Sequence, residues 1–521
     1  MTPASPVPDA ADAPRPAQAP PPPDAAPPVD DTAPVDSAVR RRPILLTVAA
    51  ALSGVVLTLV VLPPPQVFDS YYVWEAGRLW PNIPYDFPVL HHAMRLGTVL
   101  PARLAQMVFG LDQASVVAAS AALIGVFTAG IYATGRALFN DRVGLIALAL
   151  VIVSPFLTLV DGFTRFTTAS TGSLYPDAPA GGEFALGVAA LVVASRRRGR
   201  RQLGWLVAAG VCFGVAYLTR EFVAFMFVAI PVFFVLLRIP WRRMVAPIVP
   251  MLAILGAELA INYAIYGDAL ARLHVAEEHG IRRAVPLTLW YVLGGYFNGM
   301  ATHPLGWIFT LGLVLTVVGV LVFRDRRLIL LLVWFVSLWL PLTLVGGLLD
   351  PYQPSLRVHL VRYWFPVLPA VTVGGVATVA MLVARIPTAR AVWRRVAVGT
   401  IAALTALYFV TGVVVLGGVE RDQNWREFRA WVATHPQYRT IVTDSRSVQA
   451  ARFYTQSFFG HQFWKGQFRS IKYRSPTLPT EVIRGRPYLE TVLGAQEHPD
   501  PAQGWRVLWR STDGSLTVWQ R

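Results

Sequence analysis

Long apolar runs alternate with short polar breaks along this chain, and the lengths of those runs predict its elements. They fall at about 44–62, 114–134, 143–160, 180–195, 203–218, 222–237, 244–265, 305–323, 328–349, 365–383 and 396–417. At about 1.5 Å of helical rise per residue, the 19-residue run Ile44–Leu62 spans about 28 Å, enough for a bilayer's hydrocarbon core. The stretch 203–237 would make a helix of about 52 Å, too long for one crossing. Arg220–Glu221 at its centre marks a hairpin turn between two short spans. The pattern predicts a mainly α, polytopic membrane protein with about eleven transmembrane helices.

The two ends of the chain are different material. Residues 1–39 hold 12 prolines and six aspartates but no aromatic residue, so they cannot bury a core and are expected to form a disordered cytoplasmic tail. After residue 417, Trp425, Phe428, Trp431 and Val432 lie on one helical face, followed by a strand-like Thr440–Asp444. Trp505–Arg510 and Ser515–Trp519 flank Asp513–Gly514, a hairpin signal. The expected division is a tail over 1–39, a transmembrane domain over 40–417 and a small extracytoplasmic α/β domain over 418–521.

Composition sharpens this picture. The chain is 54% hydrophobic and 15% charged, with a mean hydropathy of +0.48, which rules out a soluble multidomain enzyme. A net charge of +16 would suggest nucleic acid, but the arginines fall mostly between apolar runs and read as topology signals instead. With the N-terminus inside, the inner segments 40–42, 135–142, 196–202, 238–243, 324–327 and 385–395 carry 20 basic residues in under forty positions. The outer segments carry ten in more than a hundred. The positive-inside rule thus places the N-terminus in the cytoplasm and the C-terminal domain outside. Treating 203–237 as one span would put Arg242–Arg243 and every later basic cluster outside, against that rule. Arginine in place of lysine suits a GC-rich bacterial genome, hence a bacterial cytoplasmic membrane. Cys212, the single cysteine, excludes internal disulfides and cysteine-rich zinc sites.

The candidate chemistry gathers at the outer ends of the helices. Asp69 follows the first span within Phe68-Asp69-Ser70-Tyr71-Tyr72, where a carboxylate could act as general base on an acceptor hydroxyl or cap the next helix. His91 and Arg95 offer donors for a phosphate on the same side, although Arg95 could equally be an interfacial anchor. The next outer loop brings Arg165 and then Asp177, a second candidate carboxylate or helix cap. Glu258 lies about 10 Å inside its outer helix end, near the level of Arg220 and Glu221; a purely structural reading would pair Arg220 with Glu258. Arg357, Arg362 and Tyr363 stand at the mouth of the tenth span, suited to a phosphate or to interfacial anchoring.

This inventory fits displacement at a sugar activated by a lipid phosphate. The leaving group is already good, so a base for the acceptor and cations for the departing charge suffice, and one base on the opposite face gives inversion.

In the order and spacing of these motifs the chain resembles the GT-C superfamily of integral-membrane glycosyltransferases, which use polyprenyl-phosphate sugars. The residues concerned are Phe68-Asp69, Leu100-Pro101, Phe109-Gly110, Gly135–Phe139, Tyr175-Pro176-Asp177, Tyr217–Glu221 and Arg362-Tyr363 with Pro366 and Pro369. The likeness is closest to the bacterial branch of lipid A aminoarabinose transferases and protein O-mannosyltransferases. It implies that Asp69 is the catalytic aspartate and Asp177 the second acidic position. It also implies that Arg95 or His91 stands where the aminoarabinose branch keeps a lysine, and that Arg362–Tyr363 lines the donor cavity. Ser70 follows Asp69 where the O-mannosyltransferases carry a second acid. No Asp-x-Asp motif is present, which favours a metal-independent reaction without excluding a divalent cation. The expected partners are a polyprenyl-phosphate sugar, a lipid, glycan or protein acceptor, and the membrane. Two other classes share part of the pattern: a transporter or flippase of lipid-linked glycans, and a noncatalytic membrane subunit of a transferase complex.

Overall fold

A computed structural model describes residues 37–61, 69–85, 87, 90–111, 113–153, 174–277, 282–301, 306–356, 358, 360–386, 391–417, 423–443, 447–455, 464, 466–470, 481–484 and 499–521. The expected tail lies outside these residues, except that helix α1 already begins at Ser37 (Ser37–Val61). The chain divides into two compact units, 1–45 and 46–521, and the second carries everything that follows.

The first half continues with α2 (Asp69–Leu79), α3 (Leu90–Ala93), α4 (Leu96–Phe109), α5 (Gln113–Leu138), α6 (Asp141–Ile152), α7 (Asp177–Ser195) and α8 (Gly199–Thr219). A 3-10 helix (Glu221–Val228) leads into α9 (Ala229–Leu236), followed by α10 (Val245–Tyr266) and α11 (Ala271–Glu277). The second half has α12 (Leu289–Leu293), α13 (Gly295–Ala301), α14 (Trp307–Phe323), α15 (Arg326–Thr343), a 3-10 turn (Val361–Val367), α16 (Leu368–Ala384) and α17 (Ala391–Gly417). Among the described residues six helical stretches are long and apolar enough to cross a membrane, and five shorter ones are apolar as well. The chain is a multi-pass membrane protein. The run expected at 143–160 is helical to Ile152, and residues beyond 153 there lie outside the described set.

The Arg220–Glu221 turn has a clear geometric signature. Gly210 packs against Pro247 and Gly214 against Ile254, so α8 and α10 run in the same direction. Arg272, just after α10, donates to the Tyr217 carbonyl near the end of α8 at 3.0 Å. The segment between them must therefore cross back. The helical stretch Glu221–Leu236 carries it back, and a short 3-10 turn, Trp241–Met244, leads into α10. The first half of Glu221–Leu236 is wound as a 3-10 helix with a longer rise, which stretches the segment to about 28 Å.

Packing rather than burial from water holds such a bundle together, because lipid is as apolar as a core side chain. Phe184 of α7 packs at a tilt between Phe213 of α8 and Trp334 of α15, with ring centroids 4.8 and 5.1 Å away. Helices α5 and α7 approach so closely that a Cβ on Gly182 would lie 2.3 Å from the Phe127 Cα. Thr134 seals that contact by donating to the Ala185 carbonyl at 3.0 Å.

The C-terminal region adds α18 (Gln423–Thr434), β1 (Thr440–Thr443), α19 (Ser447–Tyr454), β2 (Gln467–Ser470), β3 (Glu481–Arg484), β4 (Arg506–Arg510) and β5 (Thr517–Gln520). The strands form one sheet in the order β2-β1-β3-β5-β4. Strand β1 is parallel to β2 and β3, while β3, β5 and β4 are antiparallel. The Asp513–Gly514 signal does mark the β4–β5 hairpin, with Gly514 at φ +67°. Trp425, Phe428, Trp431 and Val432 form the buried face of α18. This region docks on α2. Phe453 of α19 meets the Tyr71 ring edge-on at 5.5 Å, and Gln113 donates to the Phe453 carbonyl at 3.3 Å.

Candidate active site

The site is assembled where several helix ends meet. Residues 174–176 feed directly into α7, whose first residue is Asp177, buried at 1% exposure. Arg220 lies between α8 and the 3-10 helix in an extended conformation, which ends the helix and turns its side chain to Asp177, Nε to Oδ1 at 3.0 Å. Its Nη1 also meets Glu221 Oε1 at 3.2 Å.

Arg95 arrives from the start of α4, and a missing side chain makes the approach possible. A Cβ on Gly97 would sit 2.0 Å from Thr219 Oγ1, so only glycine lets α4 reach the end of α8. The Arg95 guanidinium then grips Glu221 through two nitrogens, at 2.9 and 3.2 Å, and its Nη1 lies 2.7 Å from His92 Nδ1. Arg272 of α11 completes the cluster. It meets Glu221 Oε2 at 3.2 Å and Glu258 Oε1 at 2.5 Å.

The result is one network of three arginines and three carboxylates, Arg95, Arg220, Arg272, Asp177, Glu221 and Glu258. All are buried except Glu221, whose side chain is 26% exposed and forms the open edge. Ion pairs this deep are held in place only because every member is compensated. The Arg220–Glu258 pair that a structural reading suggests is not formed: each takes a different partner. Arg272 was not apparent from sequence, although it follows the left-handed Gly267 break on a short helix that turns back over α10.

A second group borders the network. Arg362, half-buried at the start of the Val361–Val367 turn, stands over the Tyr175 ring at 4.7 Å and the Tyr363 ring at 5.8 Å. Arg220 also lies over Tyr363, at 5.0 Å, linking the groups. Asp69 opens α2, and its neighbour Ser70 accepts a hydrogen bond from the Leu174 N–H at 3.1 Å. The helix that begins with Asp69 is thus tied to the segment carrying Tyr175 and Asp177. One turn further, Tyr72 stacks on His92 at 6.1 Å, and His92 contacts Arg95. His91 packs against His92 with ring centroids 3.9 Å apart.

Arg165, Arg357 and the Asp69 side chain lie outside the described residues. The other sequence-derived candidates, His91, Arg95, Asp177, Arg220, Glu221, Glu258, Arg362 and Tyr363, converge on this one end of the bundle. Glu183 lies nearly two helix turns beyond Asp177 on α7, buried within reach of Thr219. Among the described residues no group of three His, Cys, Asp or Glu side chains gathers to hold a metal.

Residues 99–265, which include Asp177, Arg220, Glu221 and Glu258, match the family described as dolichyl-phosphate-mannose-protein mannosyltransferase. The crystal structure of ArnT from Cupriavidus metallidurans bound to undecaprenyl phosphate superposes with a TM-score of 0.56 at 15% identity, covering 92% of this chain and 98% of that one. The fold is that of a GT-C glycosyltransferase. The apo structure of the same ArnT gives a TM-score of 0.58, again at 15% identity, over 93% and 98% of the two chains. The Archaeoglobus fulgidus oligosaccharyltransferase in complex with zinc and sulfate gives 0.53 at 13% identity, over 91% of this chain and 72% of that one. No curated protein sequence matches the chain. Within the GT-C fold, the ion network and the Arg362–Tyr175 stack occupy the same end of the bundle as the start of α2.

Proposed function

We propose that the chain is an inverting glycosyltransferase that moves a sugar from a polyprenyl-phosphate donor to a lipid, glycan or protein acceptor at the outer face of the bacterial cytoplasmic membrane. The observation that carries this reading is the placement of two opposite chemistries around one short segment. The start of α2, with Asp69, is tied to Leu174 through Ser70, and Arg362 stacks on the adjacent Tyr175. The similarity to an ArnT structure holding undecaprenyl phosphate supports a lipid-phosphate donor.

In this mechanism the Asp69 carboxylate takes the proton from the acceptor hydroxyl as its oxygen bonds to the anomeric carbon. The bond from that carbon to the lipid-phosphate oxygen breaks, and the electron pair leaves with the phosphate, inverting the centre. Arg362 holds the departing phosphate through paired hydrogen bonds, a geometry that a guanidinium provides and an ammonium does not. Asp177 acts as a positioning residue: it fixes Arg220, which in turn stands over Tyr363 beside Arg362. Glu221, at the open edge, is the network member placed to meet substrate.

The test is release of free polyprenyl phosphate from a panel of lipid-phosphate sugars, by purified protein with membrane extract as acceptor. Wild-type protein should release it from one donor, and Asp69→Asn should lose about 10²- to 10⁴-fold with an unchanged melting temperature. Near-wild-type rates in Asp69→Asn would sink the mechanism. No release from any donor, by well-folded protein, would point to transport or scaffolding instead.

A further inference from the structure

Away from the ion network, the C-terminal domain carries a groove of about 490 Å³ between α18 and the β4–β5 hairpin, within the range of small-ligand sites. Its floor is aromatic. Trp509 of β4 lies nearly parallel to Trp431 of α18, with ring centroids 5.9 Å apart and planes 26° from each other. Behind Trp431, His435 and Tyr438 continue the tier at 4.9 and 5.4 Å. Trp431 is almost fully buried, whereas Trp509 is half-exposed. The rim is polar and bears one charge of each sign, Glu427 and Arg510, with Thr434 and Thr512 beside them.

We propose that this groove binds a neutral saccharide. A pyranose ring has one face of C–H groups and an edge of hydroxyls, so it needs a flat apolar wall next to fixed donors and acceptors. Trp509 backed by Trp431 supplies the wall. Glu427 is pre-oriented: its Oε2 accepts from the Thr512 N–H at 2.7 Å and its Oε1 from Gln423 Nε2 at 2.9 Å. The Thr512 hydroxyl also donates to it, and since a carboxylate has about four acceptor positions, capacity remains for a sugar hydroxyl. Those bonds, led by the Thr512 N–H, hold its carboxyl below the usual range, so it stays anionic at neutral pH. Arg510, exposed at the rim, offers donors in a rigid fork. Balanced charge at the rim favours a neutral sugar over a uronic acid or a phosphate.

The groove belongs to the domain that docks on α2, the helix that begins with Asp69. If the glycosyltransferase reading holds, the saccharide is the acceptor or part of it, and that role rests on that reading. Binding itself does not.

Full-length protein in lipid nanodiscs would be titrated with neutral hexose oligosaccharides of two to six units, by calorimetry and by tryptophan fluorescence. Binding should weaken about tenfold in Glu427→Gln and in Arg510→Ala, each losing one set of hydrogen bonds. Trp509→Phe keeps a ring in place and should retain binding while losing most of the fluorescence response. The melting temperature should stay close to that of wild type in all three variants, since none touches the ion network. No binding of any neutral saccharide overturns the proposal. So does binding that Glu427→Gln and Arg510→Ala leave unchanged, or binding confined to anionic sugars or peptides. Saccharide binding by a protein that releases no lipid phosphate would sustain the groove and remove the glycosyltransferase reading.

Discussion

The two ends of the helical bundle use the same residue for different purposes. At the end that carries the candidate site, Arg95, Arg220 and Arg272 are 3–4% exposed and each is locked to a carboxylate from a distant part of the chain. At the opposite end, arginines are wetter and mostly hold backbone. Arg196 donates to the Ala137 carbonyl at 2.5 Å and Arg327 to the Leu138 carbonyl at 3.3 Å, both at the C-terminus of α5, where a cation also suits the helix dipole. Arg136 pairs with Asp141 at 2.8 Å, with both side chains 35% exposed. An arginine count therefore reads topology at one end and chemistry at the other. Burial, not abundance, separates the two meanings.

The hardest test of that contrast is to remove the shared carboxylate. Glu221 serves all three buried arginines, so Glu221→Gln strands cations rather than a single pair. Breaking a buried ion pair on one side costs about 3–5 kcal/mol. The expected outcome is a large fall in the apparent melting temperature in detergent, with loss of transfer. The matching change at the other end, Arg327→Gln, removes a half-exposed pair with Asp325 and a hydrogen bond to the Leu138 carbonyl and should cost about 1–2 kcal/mol. Equal losses in the two variants would erase the distinction.

A smaller effect should follow from crowding the approach that builds the network. A Cβ in Gly97→Ala would meet Thr219 Oγ1 and, at 2.6 Å, its backbone nitrogen, so α4 or α8 must move. Overpacking of this kind costs about 1–3 kcal/mol. Because Arg95 sits two residues earlier, transfer should fall more steeply than stability. A variant as active and as stable as wild type would show that the close approach does not position Arg95.

Much of this was readable from the chain, and the unreadable parts share a cause. The turn at Arg220–Glu221 followed from length alone, because a helix of 35 residues cannot fit one crossing, and the parallel course of α8 and α10 requires that turn. The β4–β5 hairpin was local and equally legible, carried by Asp513–Gly514. The partners within the ion network were not. Asp177 and Arg220 are 43 positions apart, and Arg95 and Glu221 are 126 apart. Nothing in the spacing of a single sequence states which acid meets which base. Strands β2 and β3 escaped for a related reason: both pair in parallel with β1 through long crossovers rather than tight turns.

The smallest expected effect isolates what a carboxylate does when it is not buried in a network. Asp325 caps α15 at the arginine-rich end, accepting from the Arg327 N–H at 2.8 Å. Burial pushes its carboxyl up, but hydrogen bonds from the Arg327 side chain and backbone outweigh that and leave it below the usual range. A carboxyl lowered in the folded state adds stability that is complete above its unfolded value, about 3.9, and is lost as pH falls through the folded one. Asp325→Ala should therefore cost about 1 kcal/mol at neutral pH by removing the cap. Asp325→Asn keeps a capping oxygen and should cost only the charge, a few tenths of a kcal/mol. Melting temperatures of the three proteins would be compared from pH 8 down to pH 3. The difference between wild type and Asp325→Asn should stay flat to about pH 5 and shrink below about pH 4, where the wild-type carboxyl takes up its proton. A gap that instead widened on acidification would mean the carboxyl is raised, so that this end, too, hides a buried charge.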